Sequence, residues 1–167
     1  MISAVQAAHW SEVLRTASDR AVSQEATRSR RVRKFGDHDT PSFSLDQAYD
    51  KCLEALREAA EEASRPNWDG YGAHPVSDAT LAQALAFLDL LPSTLLKLLE
   101  ISPHPDGELA FEWFMGPRQV LTVSVNESGR LSYAALFGEA RLHGSEFLLD
   151  ALPETVALAL RRLYSAQ

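Results

Sequence analysis

Apolar positions hold a helical spacing in several segments of the first hundred residues and switch to alternation after Ile101. In residues 2–27, Ile2, Val5, Trp10, Val13, Leu14, Ala17 and Ala21 follow helical steps, which predicts an amphipathic helix. Its stripe is thin and rich in alanine, so it buries little area alone and needs a second surface. A second helix is predicted over 45–64, with Leu45, Ala48, Tyr49, Cys52, Leu53, Leu56, Ala59, Ala60 and Ala63 on one face. Ser44 supplies its cap, Gln47 completes a capping box three residues on, and Pro66 stops it. A third helix, 78–91, is capped by Ser77, carries Leu81, Leu85, Leu88 and Leu91 on one side and ends at Pro92. A short helical turn over 95–99 follows.

Beyond Ile101 the period becomes two. Leu109, Phe111 and Trp113 alternate with Glu108, Ala110 and Glu112, and Leu121, Val123 and Val125 alternate with Thr122 and Ser124. Turns at Pro105-Asp106-Gly107, Gly116-Pro117 and Glu127-Ser128-Gly129 join these segments to a further one at 130–137. Gly138 and Gly144 bracket a short edge strand over 140–143, and Pro153 opens a last helix lined by Val156, Leu160, Leu163 and Tyr164. The predicted class is α+β, with helices packed on one face of a small antiparallel meander of three to four strands. Residues 1–40 form an N-terminal helix and basic arm, and residues 41–167 a compact α+β domain.

Charge divides the chain at the same place. The net charge is −7, yet residues 1–40 hold seven basic and five acidic side chains, and residues 41–167 hold nine basic and eighteen acidic ones. Arg28, Arg30, Arg31, Arg33 and Lys34 place five cations within seven residues, dense enough to repel one another without an anionic partner. Clustered guanidinium groups bind phosphates, so this arm is a candidate nucleic-acid contact; it equally suits docking on an acidic protein surface, such as the helix at 45–64. No apolar run reaches the ~18 residues of a membrane-spanning helix, and residues 1–10 lack the charged start and apolar stretch of a secretory signal. A cytoplasmic protein without membrane contact is expected. The lone Cys52 has no disulfide partner, rules out a cysteine-based zinc site and falls on a buried helix face as inert core.

Candidate chemistry is sparse. There is no Gly-x-Ser-x-Gly elbow, and Gly70-x-Gly72 lacks the third glycine and the lysine of a phosphate loop. His104, Asp106 and Glu108 alternate like a metal site of one imidazole and two carboxylates, but Pro105 and Gly107 bend the chain. The expectation is a turn whose Asp106 bonds backbone amides. No cofactor or metal is implied. The loop from Asn67 to Pro75 holds two glycines, Trp68 and Tyr71, and with Asp69, His74 and Glu112 it provides the candidate partner-binding groove.

Asn67-Trp68-Asp69-Gly70-Tyr71-Gly72-Ala73, Pro103-His104-Pro105-Asp106-Gly107-Glu108-Leu109, Phe111-Glu112-Trp113 and Leu131-Ser132-Tyr133 resemble the marks of a group of uncharacterised bacterial proteins. That group carries a Trp-x-x-Tyr-Gly-Ala loop and a later Pro-x-x-Asp-Gly...Glu-Trp strand. The resemblance spans residues 45–137, names no reaction and implies an accessory, phage or toxin-antitoxin-type component. Within it, Trp68 and Tyr71 are expected to pack over the sheet with Glu112 bonding their polar ends, or to line a ligand or partner groove.

These observations lead to a noncatalytic protein-binding module, an antitoxin-like or immunity-like inhibitor of a partner with a basic surface. Two alternatives stand beside it. One is nucleic-acid binding through the arginine run; the other is a small enzyme using the loop from Trp68 to His74, with His74, Asp69 and Glu112 as acid, base and orienter. A homodimer paired through the N-terminal helix is compatible with either.

Overall fold

The computed structural model describes residues 43–165. The N-terminal helix, the basic arm and the domain boundary near residue 41 lie outside the described residues. Three α-helices, one 3₁₀ helix and five strands follow in the order α1 (Phe43–Glu62), α2 (Asp78–Leu90), 3₁₀ (Ser93–Leu98), β1 (Leu99–Pro103), β2 (Leu109–Gly116), β3 (Gln119–Val125), β4 (Arg130–Phe137), β5 (Ala140–Phe147) and α3 (Glu154–Ser165). The strands form one antiparallel sheet in sequential order, β1-β2-β3-β4-β5. The class is α+β, with five strands instead of three or four.

The extra strand is β1. The helical turn expected over 95–99 is the 3₁₀ helix Ser93–Leu98, and β1 starts directly after it, where Leu99 pairs with Trp113. The edge strand β5 also runs past Gly144 to Phe147 instead of stopping at 143. Gly144 is the strand position opposite Tyr133, and a Cβ there would come within 2.5 Å of the Tyr133 hydroxyl oxygen. Glycine in this strand marks a close side-chain approach and not a terminus.

Strand alternation sorts the sheet into two faces. Leu109, Phe111 and Trp113 of β2, Leu121, Val123 and Val125 of β3, and Leu131 of β4 are all fully buried. They share one core with Ala48, Cys52, Leu56 and Ala60 of α1, Leu81, Leu85, Phe87 and Leu88 of α2, and Val156, Leu160 and Leu163 of α3. The Phe87 ring meets Phe111 edge-on at 4.9 Å between centroids. Trp113 donates its indole N–H to the carbonyl of Leu95 at 2.9 Å, so the largest core side chain leaves no polar atom unpaired.

Helix ends follow local chemistry. Ser77 accepts the amide of Thr80 at 3.1 Å, as its sequence position predicts, and the Pro153 carbonyl accepts the amide of Ala157, so α3 begins one residue after the proline. α1 begins at Phe43, one residue before the expected Ser44 cap. Tyr49 of α1 donates its hydroxyl to Asp89 of α2; burial first, and then this carboxylate, push the phenol far above its ordinary range. Cys52 turns its thiol to the Leu96 carbonyl at 3.5 Å, and burial raises its pKa, which suits an inert core thiol.

Shortening Phe111 to alanine is expected to cost about 3–5 kcal/mol, because the cavity opens between β2 and α2. Ser102→Ala, on the exposed side of β1, should stay within about 0.5 kcal/mol. Denaturant titrations of both variants check the assignment of the two faces, which fails if the costs are similar.

Candidate functional site

Between α1 and α2 the chain makes a tight loop that is built from its own side chains. Asn67 takes a left-handed conformation at φ 61°, and Gly70 and Gly72 follow at φ 80° and 96°. The Asp69 carboxylate accepts the amides of Tyr71 at 2.8 Å and Ala73 at 3.1 Å, both on Oδ1. Asn67 Oδ1 accepts the amide of Gly72 at 2.7 Å, and the Asn67 amide donates to the Ala73 carbonyl at 2.8 Å. These bonds satisfy the amides of a segment too short and too twisted for a ladder. The Tyr71 amide, and with it that of Ala73, holds the Asp69 carboxyl below the usual carboxylate range.

The loop is moored on both sides. Val76 donates its amide to the Ala63 carbonyl at 2.9 Å, just beyond the end of α1, and His74 donates to the Pro105 carbonyl at 2.7 Å. Gly107, at φ 84°, admits the Pro75 carbonyl so closely that a Cβ there would lie 2.9 Å from its oxygen. The Asn67–Pro75 loop and the turn through Gly107 therefore pack directly on one another. Neighbouring Asp106 bonds the His104 ring at 2.8 Å, where a bond to backbone amides was expected. The turn closes without Asp106, through the amide of Gly107 on the His104 carbonyl.

Five residues were expected to form one groove. Trp68, Asp69, Tyr71 and His74 share the loop, but Glu112 does not join them. Trp68 is half-buried against the core and donates its indole N–H to the His74 carbonyl at 3.1 Å, not to Glu112. Glu112 accepts the Thr122 hydroxyl at 3.1 Å across β2 and β3. Tyr71, expected over the sheet, is 96% exposed at the loop tip. The reason is local: two residues after Asp69, its amide is drawn inward to the carboxylate and its ring turns outward. Glu108 accepts the Ser124 hydroxyl, so the alternation of His104, Asp106 and Glu108 brings only the first two together.

No described hydrogen bond joins the expected acid, base and orienter. Asp69 directs its carboxylate to backbone amides, Glu112 to Thr122, and no described side-chain hydrogen bond links His74 to either. An open cleft of about 410 Å³ lies elsewhere, between α1 and the 3₁₀ helix, lined by Lys51, Cys52, Leu96 and Lys97 among others. It contains none of the five residues. Sequence reasoning missed the role of Asn67, whose side chain and left-handed backbone start the loop; the Asn-x-Asp spacing ahead of two glycines was its available signal. The arm residues Arg28, Arg30, Arg31, Arg33 and Lys34 lie outside the described residues, and no described helix is long and apolar enough to cross a membrane. Comparison with protein-family models, curated proteins and solved structures yields no match for the chain.

Because the folded-state pKa of Asp69 is depressed, its contribution to loop order is present above the ordinary carboxylate range and is lost as pH falls through the lowered value. Asp69→Ala should therefore lower thermal stability at pH 7, and the gap to wild type should close in strong acid. Melting curves of both proteins from neutral to acid pH test this; a gap that does not depend on pH contradicts it.

Proposed function

We propose that the protein is a noncatalytic protein-binding module whose contact is centred on the loop bearing Tyr71, in the manner of an antitoxin-like or immunity-like inhibitor. The observation that carries the reading is the exposure of Tyr71, 96%, on a loop whose backbone is already held by Asp69 and Asn67. A large exposed ring on an ordered backbone is costly to leave in water and cheap to immobilise in a partner's pocket. Tyrosine adds a hydroxyl that can bond inside that pocket. Residues 41–167 hold eighteen acidic against nine basic side chains, which favours a partner with a basic surface and speeds encounter with it. Bacterial two-gene components, the class that the loop and strand motifs resemble, fit the same reading.

The test is affinity capture from the native host lysate with the tagged wild-type chain, Tyr71→Ala and a form lacking residues 1–40, with nuclease treatment in parallel. Wild type should retain a stoichiometric protein, and Tyr71→Ala should weaken that capture about tenfold or more with an unchanged melting temperature. Equal capture by Tyr71→Ala, or a retained species that nuclease removes, overturns the reading.

A further inference from the structure

The sheet face opposite the core is exposed along its outer strands and at Phe114, Arg130 and Ala134, half-buried along β3 and buried at Ala110, and its charges are sorted by strand. Glu100 of β1 and Glu108 and Glu112 on or just before β2 carry every negative charge there on one side. Arg130 of β4 and Arg141 of β5 carry the positive side, with the His143 imidazole of β5 beside them. Between them β3 presents only Val120, Thr122 and Ser124 to this face. Among the described residues the ion pairs are Arg57–Glu61, His104–Asp106 and Arg118–Glu139, so none of these six ionisable groups has an ion-pair partner among the described residues. Glu100 and Glu112 are even direct cross-strand partners, an arrangement that like charges disfavour.

Such a face is complementary to itself. We infer that it packs against the same face of a second copy, about a twofold axis that runs along β3. This proposal is independent of the Tyr71 loop. A twofold along β3 carries β2 over β4 of the partner and β1 over β5, and it preserves the rows of the sheet. The register then sets Glu108 over Arg130, since Leu109, Val125 and Leu131 form the adjoining row. Glu100 lies over His143, because Glu100, Glu112, Thr122, Ala134 and His143 form one row. In the row of Phe114, Val120 and Leu136, Phe114 meets Leu136 and Val120 meets itself. Phe114 is 55% exposed in the isolated chain, and this pairing covers it.

Serine and alanine line the middle of the face, at Ser102, Ala110, Ser124, Ser132 and Ser145, and allow two sheets to approach closely. Five strands at ~4.8 Å and up to eight residues at ~3.3 Å give roughly 600 Å² per copy. Two such faces reach the lower bound of specific interfaces, the size class of weak and transient contacts.

Ala134 makes the test sign-specific, because it is exposed and lies over Glu112 of the other copy. Sedimentation equilibrium of the full chain from about 1 μM to 1 mM, at low and high salt, should show a monomer–dimer equilibrium that salt weakens. Ala134→Lys should tighten it and Ala134→Glu weaken it, each by about threefold to tenfold; an unchanged melting temperature and a tightening that salt reverses separate this charge contact from misfolding. Glu108→Arg and Arg130→Glu should each weaken association, and the double exchange should restore it. A monomer at every concentration, or a dimer indifferent to the sign of the charge at 134, overturns the proposal.

Discussion

Burial of the Leu109, Phe111 and Trp113 face of β2 is the constraint on which the rest of the molecule depends. Because strand side chains alternate, placing these three in the core commits Ala110, Glu112 and Phe114 to the opposite face, and pairing propagates that choice across all five strands. Phe87 of α2 closes on Phe111, and the carbonyl of Leu95 closes on the Trp113 indole. A slip of one residue would expose two aromatic rings and bury a carboxylate, a change of many kcal/mol against a domain stability of about 5–15 kcal/mol. The register is therefore among the most tightly specified features of the fold.

The loop after α1 follows from the same frame. Its exit residues are moored to the end of α1 and to the turn that starts β2, through the bonds from Val76 to Ala63 and from His74 to Pro105. Within those limits the backbone closes on itself only through the amides of Asn67 and Gly70, and the side chains of Asn67 and Asp69 take the amides of Tyr71, Gly72 and Ala73. Tyr71 is then displayed by a backbone that cannot easily fold it back. Rigidity and exposure together are what the proposed anchor role of Tyr71 rests on.

The outward face of the sheet carries the other consequence of the register. Helices and core account for the inward residues, but nothing in the core requires carboxylates on β1 and β2 or cations on β4 and β5. Sheet order is what turns a scattered set of charges in sequence into two separated bands, since residues 100, 112, 122, 134 and 143 become a single row.

Much of the fold was legible in the order of residues because its signals are local. The alternation in β2 and β3, the Ser77 cap, the buried stripe of α1 and the turn glycines each act within a few residues. The same holds for the loop as a structured segment. β1 was hidden because the helical spacing of Leu95 to Leu98, realised as the 3₁₀ helix, runs straight into it, and only pairing with β2 makes Leu99 to Pro103 extended. Gly144 read as a terminus because the ring that needs its missing Cβ, Tyr133, lies on another strand. Glu112 was grouped with Trp68 and His74 on shared motif membership, whereas the pleat sends it to the opposite face and Thr122 claims it. Sequence by itself determined which residues are apolar, where the chain turns and how charge is divided along it. Tertiary structure alone decided which of those residues meet, because strand pairing and the pleat join positions tens of residues apart on faces that no short-range pattern encodes.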